Sequence, residues 1–229
     1  MNLEIDYTKL RPPAGPLPLI RQISYRVSPL LAGAGLTPNQ VSLIGLVAGL
    51  NAAALFTHCE RLALFAAALA WAVCYLMDYC DGEVARLTGR SSRFGRYLDD
   101  FVDWAVHAAL FLALGYRAAE QFQDELWWWL GIVAATGSSI NSLSSLLRSL
   151  ARDRKGLPEP HVPGSPELPA SPGEKAIYVF RVLFRADFWL LVVVLAFLDL
   201  TWLLLPALAI GTHAYWITGL FRGVERFVS

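Results

Sequence analysis

Charge is scarce in this chain. Asp, Glu, Lys and Arg make up only 17% of its 229 residues, against about a quarter in ordinary soluble domains. The two signs cancel to a net charge of zero, while 55% of the residues are hydrophobic and the mean hydropathy is +0.44. That balance excludes a water-soluble globule and provides no basic excess for a nucleic-acid partner. Cysteine is nearly absent as well. Cys59, Cys74 and Cys80 are odd in number and sit in or beside apolar segments, so they read as small buried hydrophobes rather than a disulfide framework. The N-terminal stretch has no basic segment running into an apolar one, so no cleaved signal peptide is expected. No internal repeat is found.

What is abundant is apolar sequence in runs of membrane-spanning length. The fold class expected is an all-α integral membrane protein with six transmembrane helices, over residues 41–57, 62–77, 97–116, 126–147, 184–198 and 202–220. Ahead of them, residues 1–36 form an N-terminal segment. There Arg21 and Arg26 interleave with Leu19, Ile20, Ile23 and Tyr25, the pattern of an amphipathic helix lying along the membrane surface. Thr37 and Pro38 read as the cap and first residue of the first span. Residues 37–229 then form the six-helix domain, interrupted by a Pro-rich loop at 151–174. Of the 19 Lys and Arg, only Arg61 and Arg117 fall on one side of this layout. The positive-inside rule therefore places both termini, and the turn between the second and third spans, in the cytoplasm. Trp127, Trp128 and Trp129 read as an aromatic belt on the opposite face.

Against this apolar background the acids of residues 78–103 stand out. Asp78 and Asp81 are three residues apart and Asp99 and Asp103 four apart, about 60° and 40° around a helix, so each pair shares a face. An unpaired Asp at the bilayer centre costs about 2.5 to 3.5 kcal/mol even on the lenient insertion scale, and four would be severe. Cations, water or a place near the interface must relieve such a cluster; divalent ions do so while favouring carboxylate oxygens. Arg86, Arg90, Arg93 and Arg96 lie close by in sequence, as phosphate recognition requires.

The pattern Asp78-x-x-Asp81-Gly82-x-x-Ala85-Arg86, eight residues, Gly95-x-x-x-Asp99-x-x-x-Asp103 resembles the signature of the CDP-alcohol phosphotransferase family at every fixed position. Eight specified residues at set spacings arise by chance on the order of once in a billion start positions. The stretch from Leu36 to Gly45 also resembles the family's usual lead into its first span. The resemblance implies that a CDP-linked donor loses CMP as an alcohol hydroxyl attacks the phosphorus nearer the transferred alcohol. It implies two divalent cations, Mg²⁺ or Mn²⁺, held by Asp78, Asp81 and Asp99, with Asp103 completing the cluster and acting as general base. It further implies that Gly82, Ala85 and Gly95 admit the cytidine and that Arg86 and Asn39 touch the diphosphate. Homodimers and a bacterial or archaeal cytoplasmic membrane follow from the same likeness. Taken alone, the residues do not single out Asp103 as the base, because clustered carboxylates titrate together.

The neighbouring residues carry plainer expectations. Asp100, rotated by about 100° from Asp99, is expected to be structural or to face the cytosol, and Glu83 to pair with an Arg. His107 is expected to be a hydrogen-bonded histidine packed between helices rather than a proton relay. Arg148, Arg181, Arg185 and Asp187 are placed where an acceptor pocket would lie. The donor expected is CDP-diacylglycerol with a small polar alcohol as acceptor, since Glu83 and the lack of a His between Asp99 and Asp103 are unlike the choline and ethanolamine enzymes. A soluble CDP-alcohol donating to a lipid is the alternative. A cation- or proton-coupled transporter is a third reading, but it would spread its acids through the bilayer midplane.

Overall fold

The computed structural model describes residues 6–10, 12, 17–156 and 187–228; the described residues form helices and no strands. After a single 3₁₀ turn at Tyr7–Lys9, seven α-helices follow: α1 (Leu19–Gly33), α2 (Pro38–Phe56), α3 (Arg61–Thr88), α4 (Arg93–Phe122), α5 (Leu126–Arg154), α6 (Phe188–Phe197) and α7 (Leu204–Val228).

Local chemistry sets the boundaries that matter for the site. The Thr37 hydroxyl accepts the Gln40 amide at 3.4 Å and the Gln40 side chain accepts the Thr37 amide at 2.8 Å, a reciprocal cap with Pro38 next in line. Helix α3 ends at Gly89, whose φ of +65° is the left-handed conformation a residue without Cβ adopts freely. Three residues later the Ser92 hydroxyl accepts the Gly95 amide at 2.9 Å and starts α4. The turn between the acid-bearing helices is thus closed by a glycine stop and a serine start.

Helix α2 packs on α3 and α4, α4 on α5, and α5 on α7; α1 and α6 both lie on α3. Small residues bring these helices together. A Cβ on Gly115 would lie 2.9 Å from the Gly131 Cα, so α4 and α5 touch backbone to backbone. A Cβ on Gly49 would lie 2.5 Å from Val106, so α2 and α4 meet there just as closely. Fully buried Trp71, Phe56, Leu64, Leu110 and Leu114 fill the core between α2, α3 and α4.

Among the described residues three helices are long and apolar enough to cross a membrane: α2, α3 and α5. Helix α4 has 30 residues, but Asp99, Asp100, Asp103 and Arg117 dilute its apolar character. The helices outrun the apolar windows of the sequence. Helix α3 continues from the expected end at 77 to Thr88, and α5 from 147 to Arg154, because hydropathy marks depth in a bilayer whereas hydrogen bonding alone carries a helix onward. The first residues of the expected 151–174 loop are therefore helical, and 157–174 lie outside the described residues. The start of the expected 184–198 span lies outside them too. Cys74 and Cys80 are buried as expected, but Cys59 is exposed in the connection between α2 and α3.

Candidate active site

Two adjoining cavities open between α2, α3 and α4. The first, of about 450 Å³, is lined by Asp78 and Asp81 of α3, by Asp99, Asp100 and Asp103 of α4, and by Ser42, Tyr75 and His107. The second, of about 530 Å³, is lined by Asn39, Gly82, Ala85, Arg86, Arg90, Arg93, Gly95 and Arg96, with Pro38 and the serines of the turn. Ser42, Asp81 and Asp99 belong to both walls. The structure thus gathers all four signature carboxylates on one lobe of a cleft. Every residue expected at the nucleotide lies on the other.

The acids are not equally held. Asp81 is buried, and its Oδ2 accepts the Ser42 hydroxyl at 2.6 Å. Ser42 escaped the sequence reading. Its signal was a polar residue in an apolar run, one helical turn beyond Asn39 and so on the same face. Asp78 and Asp103 are exposed to the cavity, and among the described residues Asp103 is met by His107, whose Nδ1 lies 2.9 Å from Oδ1. Asp100, expected to be structural or to face the cytosol, shares the wall of the acidic lobe.

Glycine shapes the basic lobe. A Cβ on Gly82 would meet nothing nearer than the Arg86 guanidinium at 3.5 Å, so the residue leaves free space above the helix rather than relieving a clash. At Gly95 a Cβ would crowd the Asn39 side chain at 3.2 Å. Across the lobe, Asp153 of α5 accepts the Tyr97 hydroxyl at 2.6 Å and pairs with Arg96 at 3.4 Å, tying the end of α5 to the first turn of α4.

Other expected residues lie elsewhere. Arg148 is exposed on α5 and lines neither lobe; Arg181 and Arg185 lie outside the described residues. Asp187 is fully buried, and its two oxygens accept the backbone amides of Leu19 at 2.8 Å and Ile20 at 3.0 Å. The residue preceding α1 is Pro18, which provides no side-chain cap, so Asp187 caps that helix from far along the chain. Glu83 is buried too, but its partners are not arginines. It accepts hydroxyls from Ser24 at 3.1 Å and Ser28 at 2.7 Å, both on α1.

As a donor set for a metal ion, four carboxylates suit a hard divalent cation. Among the described residues Ser42 and His107 offset the charge of Asp81 and Asp103 only in part, and no Lys or Arg salt bridge to Asp78 is found. Nor, among the described residues, are three Asp, Glu, His or Cys side chains already drawn around one point. The fit therefore lies in the chemistry of the donors and their common cavity rather than in a closed coordination sphere.

Similarity to known proteins agrees with this arrangement. The chain is 32% identical over 127 residues to the "Bifunctional IPC transferase and DIPP synthase" of Thermococcus kodakarensis, a stretch covering 56% of this chain and 28% of that protein. It is 35% identical over 100 residues to the "Archaetidylinositol phosphate synthase" of Pyrococcus horikoshii, covering 43% of this chain and 52% of the relative. The matches thus span about half of one relative and just over a quarter of the other. The profile of the CDP-alcohol phosphatidyltransferase family matches residues 35–221, a stretch that holds both lobes of the cleft, and the chain belongs to that family.

Proposed function

We propose that this chain transfers a substituted phosphate group from a CDP-alcohol, with CDP-diacylglycerol as the favoured donor, to the hydroxyl of a small polar alcohol. The observation that carries the reading is the two-lobed cleft, basic and glycine-lined on one side, acidic on the other, with Asp81 and Asp99 common to both. The basic lobe suits a cytidine diphosphate: Arg86, Arg90 and Arg93 supply charge-assisted donors to phosphate oxygens, and Gly82 and Gly95 leave room for the nucleoside. The acidic lobe is where the acceptor would approach. Its hydroxyl oxygen attacks the phosphorus nearer the transferred alcohol, the bond from that phosphorus to the bridging oxygen breaks, and CMP leaves with the electron pair. Asp103, open to the cavity, takes the hydroxyl proton.

Asp78, Asp81 and Asp99, with Asp103, would hold two Mg²⁺ or Mn²⁺ ions. When bound, such ions neutralise the diphosphate and stabilise the leaving oxygen. Ser42 keeps one oxygen of Asp81 fixed for that task.

The acceptor class we favour is a phosphorylated inositol, because the relative 35% identical to this chain carries archaetidylinositol phosphate in its name. The topology we propose has α2 to α7 spanning the bilayer, the cleft and both termini in the cytoplasm, and residues 1–36 at the interface. Exposed Leu19, Ile23 and Leu30 along α1 would meet lipid beside Arg26. A homodimer belongs to the same reading, and cross-linking in native membranes tests it.

The decisive assay incubates purified protein in detergent with labelled CDP-diacylglycerol or CDP-choline, Mg²⁺ or Mn²⁺, and a panel of alcohols that includes inositol phosphate. CMP release that requires acceptor and stops on chelation is expected. If every donor and acceptor pair leaves the nucleotide intact, the reading falls.

A further inference from the structure

Asp103 has little to hold it. Its side chain is 57% exposed to the acidic lobe, and a carboxylate on a free rotor would present either oxygen to a substrate in many directions. Among the described residues the side chain that meets it is His107, one helical turn further on. His107 Nδ1 lies 2.9 Å from the Asp103 Oδ1 and 2.8 Å from the Asp103 backbone carbonyl. Both neighbours are acceptors, so Nδ1 carries the ring proton that makes the bond.

The imidazole itself is clamped. Trp71, Tyr75 and Phe111 meet it at centroid distances of 5.4, 6.1 and 6.0 Å, at interplanar angles of 86°, 70° and 64°. Trp71 is fully buried and Phe111 nearly so. Packing alone explains a flat ring in this aromatic box, and phenylalanine would serve. It does not explain a donor nitrogen aimed at a carboxylate in the cleft.

We propose that His107 is a positioning residue for Asp103: its Nδ1–H holds Oδ1 and leaves Oδ2 as the oxygen that faces the acceptor hydroxyl. The aromatic box fixes the imidazole, the imidazole fixes the carboxylate, and the carboxylate meets the substrate in one orientation. The inference rests on the reading of Asp103 as the base. It makes His107 neither a proton carrier nor a metal ligand.

The test compares two substitutions that separate the ring from the donor. His107→Phe fills the box and cannot donate; His107→Gln fills it poorly and can donate to Asp103 from the same helical position. Expected for His107→Phe are near-wild-type melting and an unchanged KM for the CDP donor. Its kcat should fall by about 10- to 100-fold, the scale of a misplaced catalytic group. His107→Gln should melt lower yet recover most of the kcat, with His107→Asn as the donor variant if the Gln protein does not fold. Full activity in His107→Phe, or no recovery with either amide, overturns the proposal. An Asp103→Asn control separates the two layers. If it is inactive while His107→Phe is unimpaired, only the positioning role falls; if it is active, the assignment of the base falls.

Discussion

Around α1, Glu83 and Asp187 are buried, and each accepts two short hydrogen bonds from that helix, from serine hydroxyls in one case and backbone amides in the other. Along the cleft, Asp78 and Asp103 are exposed to a cavity they share with Asp81 and Asp99. All six are carboxylates of one small helical bundle. The difference lies in what neutralises them. A buried polar group without partners costs a few kcal/mol, so acids in the interior persist where the protein itself supplies donors. The clasp acids are compensated from within and hold α1 against α3 and α6. The cleft acids share one open cavity, where Ser42 at Asp81 and His107 at Asp103 offset their charge only in part.

The sharpest way to break this contrast is to neutralise a cleft acid. Asp99→Asn should lower CMP release by 10³-fold or more, about 4 kcal/mol of transition-state stabilisation. Without divalent cation it should melt no lower than wild type, since one of four crowded charges is gone. A lower melting temperature would mean that Asp99 supports the fold as the clasp acids do. Glu83→Ala should behave in the opposite sense. It strands two hydroxyls and removes charge-assisted bonds, costing roughly 3 kcal/mol, read as a lower melting temperature in detergent, while CMP release per folded molecule stays within about twofold. A loss of turnover without a loss of stability would place Glu83 with the functional group instead.

Two smaller effects refine the comparison. Gly82→Val puts side-chain atoms into the basic lobe beside Arg86 and should raise the KM for the CDP donor about tenfold, near 1.4 kcal/mol, leaving kcat close to wild type. Asp187→Ala removes the cap of α1 and should cost about 1 kcal/mol, the usual scale for a lost N-cap. Hydrogen exchange at Leu19 and Ile20 would report it locally. Unchanged protection there would mean the cap is not needed.

How much of this could be read from the chain alone follows from distance along it. The acids three and four residues apart, the Thr37 cap and the glycine stop at Gly89 are local patterns, and helical geometry turns each directly into a shared face or a boundary. The clasps are not local. Glu83 meets serines 59 and 55 residues away and Asp187 meets amides 168 and 167 residues away, so nothing near either acid in sequence announces its partner. Glu83 was expected to choose an arginine by charge, but α1 covers it and presents hydroxyls. Asp187 sat beside basic residues and read as part of an acceptor site, although both its oxygens turn to the start of α1. The assignment of His107 to hydrogen-bonded packing agrees with the rings around it and left open only which group its Nδ1–H meets, the carboxylate a turn away.

At the far end of α4 from these acids, Arg117 is buried, with only 4% of its side chain exposed; it bonds the His58 carbonyl and the Asp199 carboxylate. One side chain thus gathers the α2–α3 and α6–α7 connections, about 20 Å along the helix from Asp103. Helices bolted together at one end keep their rotations and heights in common, so the other ends can stand apart like the tines of a fork. The spacing of the cleft walls is then a property of the frame, and it need not be set by anything that enters between them.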